Sequence, residues 1–180
     1  EVECYENALE SAPHFAVAWH NLGLCGGGCV KGRRLTAREC FRRAAEHGGA
    51  VIDSRSGVYH PGQPWIQLGY CGGGIVKGKQ FTSYDCFCQA TLLDPDCPTA
   101  WCEVGCEGGF HRGEPRRNFE RSVQCFERSI QCELDARHAR RCTCACGGKA
   151  WACLAALGGG KIRDGLYGWH VEVEPSGCIV

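Results

Sequence analysis

The feature that most limits the possible folds of this chain is an internal repeat. Residues 19–44 (WHNLGLCGGGCVKGRRLTARECFRRA) align without a gap with residues 65–90 (WIQLGYCGGGIVKGKQFTSYDCFCQA). A third copy begins at Trp101 and a fourth at Trp151, and the opening CYENALESAP matches the second half of a unit. Such a repeat predicts an array of similar units that bury their apolar faces by stacking on one another.

Each unit is predicted to contain two helices. The second helix has a clear start signal, because Thr36 and Glu39 form a T-x-x-E capping box and Thr82 and Asp85 form a close variant of it. The apolar positions of the first helix follow helical spacing: Phe15, Ala18, Trp19 and Leu22.

The glycine-rich segment between the helices invites a different interpretation. In CGGGIVKGKQF, at 71–81, Gly73, Gly78 and Lys79 have the G-x-x-x-x-G-K spacing of a phosphate loop. A phosphate loop follows a strand, however, whereas this segment follows a predicted helix and recurs in the other copies. A nucleotide-binding protein with a degenerate phosphate loop therefore stays only an alternative.

A small β-hairpin accounts better for the glycine-rich segment. Residues 30–33 (VKGR) and 76–79 (VKGK) place a two-residue turn containing glycine between extended residues, and Asp164-Gly165 offers a turn pair in the last copy. Glycine tolerates the positive φ that such turns require. The three glycines before each hairpin are expected to end the first helix.

The 17 cysteines are unusually numerous, and their placement is periodic. Recurrence before an aromatic residue predicts small buried packing residues, in a reducing and hence cytoplasmic setting. The cysteines with this placement are Cys4, Cys40, Cys86 and Cys125. A metal- or redox-responsive protein is the alternative, since Cys142, Cys144 and Cys146 lie close together, but their C-x-C-x-C spacing is not that of a zinc site.

Composition and charge exclude several other classes of protein. Lys plus Arg equals Asp plus Glu at 20 each, so no overall basic field points to nucleic acid. No apolar run reaches membrane-spanning length, and we expect no membrane association. The absence of methionine indicates a fragment of a longer protein. No local signature marks a nucleophile or a catalytic pair of carboxylates, so we expect no enzyme activity and no cofactor.

The repeat resembles the tetratricopeptide repeat family. Residues 4–23 (CYENALESAPHFAVAWHNLG) and 86–105 (CFCQATLLDPDCPTAWCEVG) are similar to the junction between two of its repeats. Residues 22–32 and 39–49 also resemble the Sel1-like repeat. Successive tryptophans are 46, 36 and 50 residues apart, against a family period of about 34, because of insertions at 48–63 and 142–149. The matching positions are Tyr5, Ala8, Pro13, Trp19, Leu22 and Gly23, then Phe87, Ala90, Pro95, Trp101, Val104 and Gly105.

The resemblance implies an all-α fold: an α-solenoid of helix-turn-helix repeats over 1–160, followed by an irregular C-terminal tail at 161–180. It further implies a non-catalytic scaffold whose concave face, built from the first helices, binds a peptide or another protein. Of the polar residues that clamp a carboxylate tail in some members, only Asn21 is present, so that specialised function is not expected. The oligomeric state stays open. The predicted partner-binding residues are Val17, His20, Asn21, Leu24, Gln63, Ile66, Gln67, Tyr70, Thr99, Cys102, Glu103 and Cys106.

Overall fold

The structure is a computed structural model that describes residues 1–48, 51–52, 59–108, 115–138, 149–157, 160–163 and 170–173. Side chains are described in these segments except at 51–52, 59, 115–120, 136–138, 160–163 and 170–173. The chain divides into two compact units, Glu1–Asp94 and Pro95–Val180. Helices make up most of the described chain, as the sequence predicts, and the strands are short.

In the first unit, consecutive helices pack against one another along the chain. The helices are α1 (Val2–Ser11), α2 (Ala16–Leu24), α3 (Ala37–Glu46), α4 (Gln63–Tyr70) and α5 (Ser83–Leu93). The strands form three antiparallel pairs: β1 (Gly27–Val30) with β2 (Arg33–Thr36), β3 (Val51–Ile52) with β4 (Tyr59–His60), and β5 (Gly74–Val76) with β6 (Lys79–Phe81).

The second unit contains α6 (Pro98–Gly108), α7 (Pro115–His138) and α8 (Lys149–Ala156), followed by an antiparallel pair, β7 (Gly160–Arg163) and β8 (His170–Val173). The segment 161–180, expected to be irregular, contains most of β7 and all of β8. The expected turn at Asp164-Gly165 lies outside the described residues. Arg163 pairs with His170, so six residues connect these two strands.

The repeat of the sequence forms two copies of one helix–hairpin–helix module, α2–β1–β2–α3 and α4–β5–β6–α5. In each hairpin the residues flanking the turn are paired, Val30 with Arg33 and Val76 with Lys79. The two turn residues have positive φ in both copies, 52° and 71° in the first and 49° and 78° in the second. These values are those of a type I′ turn, so the predicted two-residue hairpin is confirmed.

Both predicted capping boxes are present. The Thr36 hydroxyl accepts a hydrogen bond from the Glu39 backbone N–H at 3.3 Å, and the Glu39 carboxylate accepts from the Thr36 backbone N–H at 2.9 Å. Thr82 and Asp85 form the same pair of bonds, at 3.2 and 3.0 Å. Each box satisfies backbone donors that the first helical turn would otherwise leave unpaired, and so fixes where α3 and α5 begin.

A glycine of each first helix lies against the aromatic ring of the second helix. A Cβ atom on these glycines would lie 2.5 to 2.7 Å from a ring carbon, closer than real Cβ contacts allow. The contact therefore requires glycine, and it brings the two helices together at one place in the first three copies. The three pairs are Gly23 with Phe41, Gly69 with Phe87, and Gly105 with Phe126.

Tryptophan starts the alignment of every copy, and two of the tryptophans make the same contact. The indole Nε1 of Trp19 donates a hydrogen bond to the Pro13 carbonyl oxygen at 2.8 Å, and Trp101 does so to Pro95 at the same distance. The Trp65 ring instead packs edge-on against Phe81, 4.9 Å away between centroids. Since the segment before α4 is longer, Trp65 has no proline at the equivalent position.

Each of the two modules is joined to the helix that precedes it by a polar contact. The Glu6 carboxylate on α1 accepts a hydrogen bond from the Cys29 backbone N–H at 2.5 Å. On α3, the Arg38 guanidinium donates to the Cys71 carbonyl oxygen, which lies at the C-terminal end of α4. A cation at this end of a helix satisfies an unpaired carbonyl and complements the helix dipole. These two contacts thus join α1 to the first module and α3 to the second.

Burial agrees with the sequence pattern at most positions and differs at some. Ala18, Trp19 and Leu22 are buried, whereas Phe15 is 49% exposed because α2 begins only at Ala16 and leaves Phe15 at its N-cap. Of the periodic cysteines, Cys4 on α1 is exposed. The other three are buried as predicted: Cys40, Cys86 and Cys125.

In the described part of the chain, every helix is too short or too polar to cross a membrane.

Candidate partner-binding surface

The two first helices of the Glu1–Asp94 unit, α2 and α4, leave the same positions accessible. Leu24 is 58% exposed and Tyr70, its counterpart in the repeat, is 53% exposed. The positions seven and three residues earlier are half-buried in both helices. Spacing of four and then three residues keeps these side chains on one face of a helix. We call these six residues the first-helix row: Val17, Asn21 and Leu24 on α2, and Gln63, Gln67 and Tyr70 on α4.

Tyr70 combines packing with exposure. Its ring meets Phe87 edge-on, with 5.5 Å between centroids, while half of the residue faces solvent. Phe87 itself is 2% exposed and is fixed by its contact with Gly69. A buried ring therefore holds one side of Tyr70, and a rigid aromatic side chain of this kind suits an interface, since little conformational entropy is lost on binding.

Two of the predicted binding residues lie in the interior of their modules instead. Ile66 is 1% exposed and His20, its counterpart, is 3% exposed. The His20 ring lies 5.6 Å from that of Phe41, and its Nδ1 has no hydrogen-bond partner among the described residues. Burial lowers the pKa of His20 to about 4, so the ring is neutral near pH 7.

The equivalent positions of α6 are covered to different extents in the Pro95–Val180 unit. Thr99 and Cys106 are half-buried, whereas Cys102 and Glu103 are buried. The Lys149 ammonium of α8 binds both oxygens of the Glu103 carboxylate, at 2.7 and 2.9 Å. In this unit α8 therefore packs over the face of α6 that is accessible on α2 and α4.

A second surface feature of the first unit is a basic pocket of about 290 Å³. The Arg43 guanidinium carbon lies 4.6 Å from the centre of the buried Trp19 ring, a cation–π contact that fixes the charge at the pocket wall. The repeat pattern does not predict this pocket, because the pattern consists of residues that the copies share. Arg43 is not shared, since the next copy has Gln89 at the equivalent position. The pocket is lined by Leu9, Pro13, Trp19, Val30, Lys31, Arg33 and Arg43.

The phosphate-loop interpretation can be compared with the geometry of residues 71–81. Gly73 lies three residues after the end of helix α4, and a Cβ on it would lie 2.2 Å from the Phe81 carbonyl oxygen. The Lys79 ammonium lies over the Phe81 ring, 5.1 Å from its centre. These glycines serve the close approach of two strands, which is a different arrangement from the strand–loop–helix of a phosphate loop.

Metal ligands were expected to be absent, and the best candidate for them cannot be placed. Cys142, Cys144 and Cys146 lie outside the described residues. Within the parts of the chain that the structure describes, no group of three His, Cys, Asp or Glu side chains is arranged to hold a metal ion.

Comparison with known proteins adds no family assignment: no protein-family model matches the chain, and a search of curated proteins finds no significant match. The likeness to tetratricopeptide and Sel1-like repeats therefore stays a prediction from the sequence.

Proposed function

We propose that this chain is a non-catalytic scaffold that binds a peptide or an extended segment of another protein along the first-helix row. The observation that carries the proposal is the equivalence of α2 and α4. Both helices expose a large apolar side chain, Leu24 or Tyr70, and both have a half-buried amide one turn earlier, Asn21 or Gln67. Singly exposed apolar residues are common, but the same exposure at equivalent positions of two modules is not explained by packing alone.

The proposed arrangement is that of an α-solenoid. Helices α1 to α5 pack in the order of the chain, so alternate helices face the same side if the stack continues regularly. On that arrangement, α2 and α4 together present a continuous strip. The amides of Asn21 and Gln67 offer both donors and acceptors to the backbone of a bound peptide. Leu24 and Tyr70 supply the apolar area, and Tyr70 is the expected anchor because aromatic residues dominate interface hot spots.

Selection of a displayed random-peptide library against the purified chain tests this function. We expect enriched peptides that bind with measurable affinity in solution. Replacing Tyr70 by Ser should weaken that binding about thirtyfold, which is the loss of about 2 kcal/mol typical of a hot spot. The matched control is Ile75→Ser, since Ile75 is 55% exposed but lies on β5, away from the row.

Three outcomes would count against the proposal. One is that no peptide is enriched above background. Another is that Ile75→Ser weakens binding as much as Tyr70→Ser, which would indicate non-specific adhesion to apolar surface. The third is that Tyr70→Ser leaves the affinity unchanged while Lys31→Glu abolishes it, because binding would then lie in the basic pocket and not on the first-helix row.

A further inference from the structure

We propose that Cys106 and Cys153 form a redox-active thiol pair, in which a hydroperoxide oxidises Cys106 and Cys153 then closes a disulfide between α6 and α8. This inference concerns the Pro95–Val180 unit and is independent of the proposed binding function. It rests on the grouping of three thiols beside an ion pair.

Glu103 and Lys149 join α6 to α8 at 2.7 Å, and Cys106 and Cys153 lie one helical turn further along these two helices. The three thiols belong to one apolar cluster, in which Cys102 is fully buried while Cys106 and Cys153 are half-buried. A small molecule can thus reach the two outer thiols. Cys102 contributes by donating a hydrogen bond from the interior.

The charge beside the cluster favours a thiolate at Cys106. Lys149 and Glu103 form an ion pair at 2.7 Å next to the thiols. The hydrogen bond from Cys102 is the largest cause that lowers the pKa of Cys106 below its ordinary value; burial opposes it, and the Lys149 charge assists it. Burial, and then the negative charge on Cys106, raise the pKa of Cys153. Cys106 is therefore the thiolate and Cys153 the protonated thiol. The first can attack the peroxide, and the second can then resolve the oxidised sulfur.

The chemistry balances in two steps. The Cys106 thiolate attacks one oxygen of hydrogen peroxide, the O–O bond breaks, and hydroxide leaves, so Cys106 becomes a sulfenic acid. The Cys153 sulfur then attacks the sulfenic sulfur, an S–S bond forms, and the oxygen leaves as water with the thiol proton. Two electrons pass from the two sulfurs to the peroxide, which is reduced to one water and one hydroxide. The hydroxide becomes the second water when it takes up the proton that Cys106 released on ionising.

Geometry selects Cys153 over Cys102 as the resolving thiol. Cys102 and Cys106 are four residues apart on α6, where Cβ atoms lie about 5–6 Å apart. A disulfide needs Cβ atoms about 3.5–4.5 Å apart, so a bond within α6 would distort the helix. Cys153 belongs to the separate eight-residue helix α8, so the geometry of α6 does not fix its distance from Cys106.

Treatment of the reduced full chain with hydrogen peroxide, followed by alkylation and peptide mapping, tests the proposal. We expect a peptide pair linked through Cys106 and Cys153, two hydrogens lighter than its reduced form and separated again by dithiothreitol. In Cys153→Ser, dimedone should trap a sulfenic acid at Cys106. In Cys106→Ser, neither product should form. The buried thiols Cys40 and Cys132, whose pKa burial raises to about 11 in both cases, should stay reduced and serve as internal controls.

A pH profile separates a reactive Cys106 from a merely accessible one. The rate at which iodoacetamide labels Cys106 should reach half its plateau at a lower pH than for a cysteine in an unstructured peptide, whose thiol pKa is about 8.5. A profile that matches the free thiol would overturn the proposal. So would a disulfide from Cys106 to any cysteine other than Cys153, or oxidation of exposed thiols such as Cys25 while Cys106 remains reduced.

Discussion

The Phe87 ring lies so close to Gly69 that a methyl group on the glycine would come within 2.5 Å of the ring carbon Cε1. The ring is 2% exposed and has no room to withdraw without disturbing the packing of α4 on α5. Helix propensity and packing therefore oppose each other at this position. Alanine is the better helix former, but only glycine permits the contact.

We expect Gly69→Ala to lower the free energy of unfolding by about 1–3 kcal/mol, the usual cost of overpacking, in spite of a helix-propensity gain of about 1 kcal/mol. Urea denaturation measures the change. The control is Gly74→Ala, because a Cβ there would meet only Leu68 Cδ1 at 3.5 Å. Equal stability of the Gly69 variant and the native chain would show that the helices separate easily.

The glycine-rich loop should tolerate substitution at one glycine and not at another. Gly73 has a φ of +75°, and a Cβ on it would meet the Phe81 carbonyl oxygen; Gly78 has a φ of +78° but open space around it. Gly78→Ala should cost about 1–2 kcal/mol for the left-handed conformation, and Gly73→Ala should cost clearly more. Thermal denaturation of both variants shows which substitution destabilises the protein more. The reverse order would contradict the hairpin geometry.

The hairpin turn offers a stabilising change. Lys77 has a φ of 49°, and Asn is several-fold enriched over other residues in this conformation, particularly before glycine in a type I′ turn. Lys77→Asn should therefore raise the free energy of unfolding by about 0.5 kcal/mol. The Lys77 backbone N–H, which donates to Glu46 at 3.3 Å, is unaffected. Lys77→Gln removes the same charge without the turn preference, and should not stabilise the protein.

The buried His20 should make the first unit sensitive to acid. Its pKa is about 4 in the folded chain and about 6.5 when the chain is unfolded, so between these values the unfolded state binds more protons. The stabilisation present above pH 6.5 is lost as the pH falls towards 4, with a limiting slope of about 1.4 kcal/mol per pH unit.

The comparison variant for this effect is His20→Ile. Isoleucine is chosen because Ile66 occupies the equivalent position of the second module. Denaturation between pH 4 and 7 should show a shallower decline for the variant than for the native chain. The variant should also be more stable at pH 7, because it removes a buried nitrogen that has no partner in the described structure. Parallel curves for the two proteins would show that His20 is protonated freely in the folded state.

Features that depend only on residues close in the chain were predictable from the sequence. The capping boxes at Thr36 and Thr82 and the two-residue turns at 31–32 and 77–78 depend on residues close in the chain, and all of them are present. The exposure of the predicted binding residues depends on which face of each first helix is covered by other elements. Those elements are distant in the sequence. Of the predicted binding residues on α2 and α4, Leu24 and Tyr70 are exposed, whereas His20 and Ile66 are buried.

Sequence spacing could not reveal which neighbours cover α6. The Glu103 carboxylate is buried through its ion pair with Lys149, 46 residues away in the sequence. The thiol group around Cys106 was equally hidden, because Cys153 comes from a helix in the fourth copy, where the repeat pattern is weakest. Helical spacing puts Cys102 and Cys106 one turn apart on α6 but gives no sign of a third sulfur or a cation beside them.

The contacts between each module and the preceding helix differ from one joint to the next. Glu6 bonds to the first hairpin, but its counterpart on α3 is Arg42, which pairs with Glu46 instead. Arg38 binds the end of α4, but its counterpart on α5 is Tyr84. A module moved, duplicated or deleted by recombination would therefore meet a neighbour with the wrong polar groups. The two modules share one sequence pattern but not the polar contacts at their joints, so an added module would need contacts of its own.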